Sequence, residues 1–226
     1  MTTPSMTSNR WIILAVLFLA RLTMAFQFQS VAALSPLLIE EFGVGLADIG
    51  FLIGLYFAPG IVFALPGGAI AARFGDKRIV GLGMVLMLAG GAMIAMTESW
   101  NVFTAGRLIV GTGGVILNVV MTKMVVDWFA GKEMSTAMAI FINSWPVGIA
   151  LALVVLPLIA GSGGIALAWW ALCAVVAGAL LLFALVYHPP EGATEASTTI
   201  QTAAFPVAAL VLASLGWALY NTALAM

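Results

Sequence analysis

The sequence predicts an all-α polytopic membrane protein, and three observations carry that prediction. Hydrophobic residues make up 63% of the 226 positions and mean hydropathy is +1.17. A water-soluble domain needs a polar exterior that this composition does not supply. Only 8% of residues are charged, against about 25% in an average soluble domain. The scarce charges divide the chain into seven apolar stretches. Each has roughly 18 residues or more, enough to cross about 30 Å of hydrocarbon. Leu, Ala, Met and Gly dominate these stretches, and few runs alternate β-branched with polar residues. Helices are therefore expected in preference to a membrane barrel.

The spans run approximately over residues 11–39, 46–71, 79–96, 100–122, 135–158, 165–187 and 203–226. The first is not a cleaved signal peptide. It is too long, it contains Arg21, and no small-residue cleavage site follows a compact apolar core. In the second, Pro59 and Pro66 can bend the helix, as can Pro146 in the fifth. Trp11, Trp100 and Trp128 stand near span ends, where an amphipathic ring suits the membrane interface. The sixth span ends before His188-Pro189-Pro190, and residues 188–202 form the only long polar stretch. That stretch reads as a linker. The expected layout is an amino-terminal bundle over 1–187, a linker over 188–202 and a further span over 203–226. The last span stops at Met226 without flanking charge, which reads as a fragment of a longer protein.

Charge sets orientation. Arg10, Arg73, Lys77, Arg78, Lys123 and Lys132 fall at the amino terminus and in the second and fourth loops. The first, third and fifth loops hold Glu40, Glu41, Asp48 and Glu98 but no Lys or Arg. The positive-inside rule then puts the amino terminus in the cytoplasm of a cell whose inner, or plasma, membrane the chain crosses. A net charge of −1 distributed in this way offers no footprint for nucleic acid. Cys173 is the single cysteine and sits in an apolar run, as a small buried hydrophobe would. His188 has no ligand-bearing neighbours, so no metal and no cofactor is expected.

The segment Gly67-Gly-Ala-Ile-Ala-Ala-Arg-Phe-Gly-Asp-Lys-Arg78 places Arg73, Asp76, Lys77 and Arg78 within six residues, between two apolar runs. It resembles the loop between helices 2 and 3 of the major facilitator superfamily, usually Gly-x-Leu-Ala-Asp-Arg-Phe-Gly-Arg-Arg-Arg. Gly68, Arg73, Phe74, Gly75, Lys77 and Arg78 match. Ala72 replaces the family's acidic residue, and Asp76 replaces a basic one. Arg107-Leu-Ile-Val-Gly111-Thr-Gly113-Gly114 is similar to the family's Arg-x-x-x-Gly-x-Gly pattern in helix 4. The resemblance covers essentially the whole chain. It implies a six-helix bundle of inverted three-helix repeats, followed by the start of helix 7, with a carboxy-terminal half as partner. It also implies a gating role for the loop residues Gly68, Arg73, Gly75, Asp76, Lys77 and Arg78, which in the family pair across the cytoplasmic face. The alternative for these residues is a turn that only fixes topology, with Asp76 a candidate substitute for the missing carboxylate.

Two arginines lie within spans. An arginine near the bilayer centre costs roughly 2.5–3.5 kcal/mol on insertion scales, so Arg21 and Arg107 are expected to face the bundle interior or a wet cavity. No carboxylate lies near the midplane of any span. Buried guanidinium without a protein counter-ion suits a planar anion held through paired hydrogen bonds. Arg107, Gly111, Gly114, Asn118 and Thr122 share one helix face, either a cavity wall or a tight helix contact. Gln27, Ser30, Tyr56, Asn143 and Ser144 can offer hydrogen bonds, as can Tyr220 and Asn221 in the seventh span. The candidate substrate-binding set is Arg21, Gln27, Tyr56, Arg107, Asn118, Asn143, Tyr220 and Asn221.

The leading expectation is a secondary transporter, symporter or antiporter, moving a small organic or inorganic anion by alternating access. A second is a proton-coupled multidrug efflux carrier of the same superfamily. Trp145 weakens it, because it stands where the helix 5 motif of drug antiporters has glycine. A third, a non-transporting membrane assembly subunit or embedded enzyme, finds little support. No metal-ligand cluster, activated nucleophile or phosphate loop is present.

Overall fold

The structure, a computed structural model, describes residues 5–63, 71, 73–131 and 133–190. The chain divides into two compact units, Met1–Glu191 and Gly192–Met226, and the described residues belong to the first. Gly68 and Ala72 of the loop, most of the linker and the whole seventh span, with Tyr220 and Asn221, lie outside the described residues.

The elements are helices α1 (Ser5–Ala33), α2 (Ser35–Phe42), α3 (Leu46–Leu55), α4 (Ala58–Phe63), α5 (Asp76–Ala95), α6 (Trp100–Phe129) and α7 (Met134–Val186). Among the described residues, four helical stretches are long and apolar enough to cross a membrane: Arg10–Ala33, Asp76–Ala95, Trp100–Phe129 and Met134–Val186. The last is two helices in one run. Gly163 and Gly164 leave helical backbone geometry, with Gly164 at φ 81°. The residues before and after this break correspond to the expected fifth and sixth spans.

Proline shapes the first two spans. The missing N–H of Pro36 leaves the Ala32 carbonyl without its usual helical donor. The Ser35 hydroxyl donates to that carbonyl instead, at 2.9 Å. The apolar run thus continues past a kink at Leu34 into α2. Gly43, at φ 63°, then ends α2, and the next segment leaves at 116°. Asp48 caps α3 by accepting from the Gly45 amide at 2.9 Å. The second span is not continuous as the sequence suggested. Pro59 lacks the N–H that would close onto Leu55, so α3 stops and α4 begins after a turn at Tyr56 and Phe57. Tighter bonds from Phe57 N to Gly54 O (3.0 Å) and from Gly60 N to Phe57 O (2.8 Å) carry the turn. Pro146, by contrast, sits inside α7 without breaking it.

Packing pairs α1 with α7 and α5 with α6 most extensively. The α5–α6 seam works because glycine faces glycine. A Cβ on Gly83 would lie 2.8 Å from the Gly113 carbonyl, and one on Gly90 would lie 2.6 Å from that of Gly106. Lipid offers no hydrophobic drive for helix pairing, so close backbone approach of this kind supplies the contact. The outer surface keeps large apolar groups exposed, among them Leu46, Leu158 and Leu185, as expected where hydrocarbon is the solvent. Substituting Gly113→Val should therefore wedge the seam, costing about 1–3 kcal/mol. Thermal melting of the detergent-solubilised protein checks this, and an unchanged midpoint would show that the seam is loose.

Candidate functional site

Arg107 is fully buried, so each of its donors needs an acceptor. Three of its five N–H groups, one on each nitrogen, find backbone carbonyls on two other helices. Nε donates to Leu52 O at 3.2 Å, Nη1 to Gln27 O at 2.9 Å and Nη2 to Phe28 O at 2.7 Å. Leu52 is among the last four residues of α3, whose carbonyls lack partners within the helix. The guanidinium also lies 4.7 Å from the centroid of the Tyr56 ring, a cation–π contact. Tyr56 is itself buried, and its hydroxyl donates to Met24 O at 3.3 Å. Gly111 and Gly114 make room for this residue: a Cβ at either would collide with the Tyr56 carbonyl or hydroxyl oxygen. The glycine stripe of α6 is therefore a tight contact with the α3–α4 turn.

Arg21 is held differently. It is only partly buried. Nε donates to Asn118 Oδ1 at 3.2 Å and Nη1 to Phe141 O at 3.1 Å, with the guanidinium 4.6 Å from the Phe141 ring centroid. Its Nη2 is accessible and makes no hydrogen bond among the described residues. No carboxylate among the described residues pairs with either arginine. The ion pairs among the described residues are Arg10–Glu133 (2.7 Å), Lys123–Asp76 (2.7 Å) and Lys123–Asp127 (2.9 Å).

The structure thus brings Arg21 and Asn118 together, with Phe141 as a third member. The backbone acceptor and ring of Phe141 carry no polar signature in the sequence. Gln27 is buried beside Arg107; its Nε2 donates to Met87 O at 3.0 Å, while its Oε1 is buried without a partner. Ser30 and Ser144 bond carbonyls of their own helices. Asn143 is exposed, and its Nδ2 donates to Ala139 O at 2.8 Å, one turn back. Trp145, noticed in the sequence only as a missing glycine, stacks on Phe28 at 5.3 Å.

At the end of the bundle that carries the basic loop, Gly75 takes φ 89° and opens α5, a geometry that glycine adopts without strain. Lys77 Nζ donates to Ala184 O (2.8 Å) and Tyr187 O (2.6 Å), satisfying the terminal carbonyls of α7. Asp76 accepts from Lys123, which also bonds Asp127 one turn along α6. Burial raises the pKa of the Tyr187 phenol above its ordinary value, and the nearby carboxylates of Asp76 and Asp127 add to the shift. Arg73 and Arg78 are exposed.

The profile of the Major Facilitator Superfamily matches residues 17–226. The chain belongs to that superfamily. Among curated relatives of this superfamily member, the probable L-galactonate transporter of Escherichia coli (strain K12) is 28% identical over 112 residues, covering 50% of this chain and 25% of the relative. The hexuronate transporter of the same organism is 25% identical over 171 residues, covering 76% and 38%. The probable galactarate/D-glucarate transporter GudP of Pseudomonas putida is 24% identical over 160 residues, covering 62% and 32%. The chain thus spans well under half the length of these relatives. Among solved structures, a mutant peptide transporter POT in complex with alafosfalin superposes with TM-score 0.71 at 16% identity, covering 99% of this chain and 50% of that one. The POT family transporter PepTSo gives TM-score 0.65 at 21% identity, covering 82% and 38%. These similarities establish a carrier fold, and the family is one of transporters, not enzymes.

Two outcomes follow. Arg107→Met removes three charge-assisted bonds, each worth about 1.5–3 kcal/mol, and should lower the melting midpoint by about 5 °C or more. Arg107→Lys should restore only part, because an ammonium cannot reach three divergent carbonyls. Lys77→Met should speed amide exchange in the last turn of α7 about two- to fivefold, the size expected for one terminal cation. Exchange unchanged at residues 184–187 would show that Lys77 caps nothing.

Proposed function

We propose that this chain belongs to a secondary active transporter that moves a small organic anion across the inner membrane by alternating access. Among organic anions the proposal selects hydroxylated carboxylates of the sugar-acid type. One observation carries it: Arg21 keeps an accessible, unspent Nη2 beside its two anchoring hydrogen bonds, and no carboxylate in the described bundle neutralises it. A guanidinium fixed at two of its nitrogens is oriented in advance for a carboxylate, which lowers the ordering cost of binding. The names of the relatives, transporters of galactonate, hexuronate, and galactarate or glucarate, support the same ligand class. In this reading the substrate sits between this bundle and a carboxy-terminal half of the same protein. The basic loop faces the cytoplasm, with the amino terminus on the same side. Arg107 serves structure in this scheme, since it is fully buried with each of its three nitrogens already bonded, and Arg21 serves the ligand.

The test is uptake by the complete protein in proteoliposomes. Arg21→Gln should lower uptake of a sugar acid at least tenfold, the equivalent of losing about 1.4 kcal/mol of binding, while the melting midpoint falls less than in Arg107→Met, because Arg21 is only partly buried and makes two bonds where Arg107 makes three. Transport kinetics unchanged in that variant would sink the proposal.

A further inference from the structure

Beyond Arg21, the bundle holds an aromatic cluster drawn from α1, the α3–α4 turn and α7. Phe28 on α1 stacks on Trp145 of α7, with centroids 5.3 Å apart and planes 29° apart. It also touches Phe57 at 4.9 Å and Tyr56 at 5.3 Å. This cluster has a definite place relative to Arg21. Phe28 lies seven residues, two turns, beyond Arg21 on α1, so the two share a helix face. Trp145 lies four residues, one turn, beyond Phe141, the residue that holds Arg21. Both steps run away from the basic end. The aromatic layer therefore stands about 6–10 Å from the guanidinium layer, at 1.5 Å of rise per residue.

The cluster is neither loose nor fully covered. Arg107 fixes its base, donating to the Phe28 carbonyl at 2.7 Å and lying against Tyr56. Phe28 and Trp145 are half-buried, and Phe57 is 49% exposed. The indole N–H of this half-buried Trp145 makes no hydrogen bond among the described residues. A half-buried indole backed by Phe28 on one face, with an unspent donor, one turn from a guanidinium with an unspent donor, suits a ligand of particular chemistry. Its carboxylate would meet Arg21. Its carbon chain would lay C–H groups on the aromatic face, and a hydroxyl would accept from the indole. A short carboxylate would reach only the first of these groups.

We propose that Trp145 is a specificity-determining residue of the carrier, selecting sugar acids of about six carbons over short monocarboxylates. The inference rests on the anion reading of Arg21 given above. Phe28 acts as the backing that orients the indole, and Arg107 acts through Phe28 and Tyr56 as a positioning residue.

The test uses the complete carrier in proteoliposomes, with D-glucuronate as substrate and propionate as competitor. Trp145→Ala should raise the KM for glucuronate at least tenfold and leave the propionate inhibition constant within twofold of its starting value. Trp145→Phe keeps a ring face and loses the donor, so it should fall between, at roughly threefold for glucuronate. Arg21→Gln should weaken both acids together. An unchanged glucuronate KM in Trp145→Ala, or equal weakening of the two acids, overturns the proposal. Should Trp145→Ala fail to fold, the ratio of the two acids in Trp145→Phe decides the matter in the same way. A parent carrier that recognises neither acid removes the anion reading and this one with it. A carrier that takes both acids but shows no shift in their ratio removes only this one.

Discussion

Burying a guanidinium in a membrane bundle is tolerable only when its N–H groups have acceptors, and much of this structure is arranged around that demand at Arg107. Spare helical carbonyls are rare except at helix ends. The break between α3 and α4, forced by Pro59, provides such an end and places Leu52 O in front of Nε. Two α1 carbonyls complete the set. The Tyr56 ring covers the cation, and the α3–α4 turn can come this close only because α6 carries glycine at 111 and 114. Proline, tyrosine, two glycines and arginine are thus parts of one contact joining three helices. Removing Arg107 leaves buried carbonyls short of their donor, a cost of about 1–3 kcal/mol per group, and a side chain added at 111 or 114 would drive the turn away.

The two intramembrane arginines show how environment assigns roles to identical side chains. Arg107 is at 0% exposure with donors on three carbonyls. All three nitrogens are engaged, and exposing the group would break these ties between α1, α3 and α6. Arg21 spends Nε and Nη1 on Asn118 and Phe141 and keeps Nη2 accessible. The first arrangement yields stability and the second yields a pre-aimed donor. The difference follows from where each helix face points, since both residues are Arg-Leu pairs within apolar runs.

Hydropathy made the spans legible because membrane helices must be apolar along their whole length, and the described helices lie where the apolar runs predicted. The breaks were less legible. Pro59 stops a helix where Pro146 does not, because the outcome depends on what can satisfy the freed carbonyl, and that is a tertiary matter. The same limit applies to the site. The cost of an intramembrane cation flagged Arg21 and Arg107, but their roles depend on backbone acceptors, which leave no trace in residue types. Asn118 could be placed on the Arg107 face by helical spacing, yet it bonds Arg21. Phe28, Phe141 and Trp145 look like ordinary lipid-compatible residues until helices α1 and α7 are brought side by side.

The departure of the loop from its family pattern at Asp76 acquires a physical sense at the basic end. Asp76 is engaged within its own bundle, through Lys123 to Asp127. Lys123 is 38% exposed, so this pairing is worth at most about 1 kcal/mol. Lys77 adds two bonds to the end of α7. Together they tie α5 to α6 and to α7 at one end, while Arg107 ties α1, α3 and α6 deeper in the bundle. Rocking of one helical bundle against another requires each to move as a stiff unit, and modest ties at separated depths resist shear better than one strong tie. In the alternating access proposed here, the loop would first serve the rigidity of its own half. Any gating by Arg73 and Arg78, which stay exposed, would build on that stiffness.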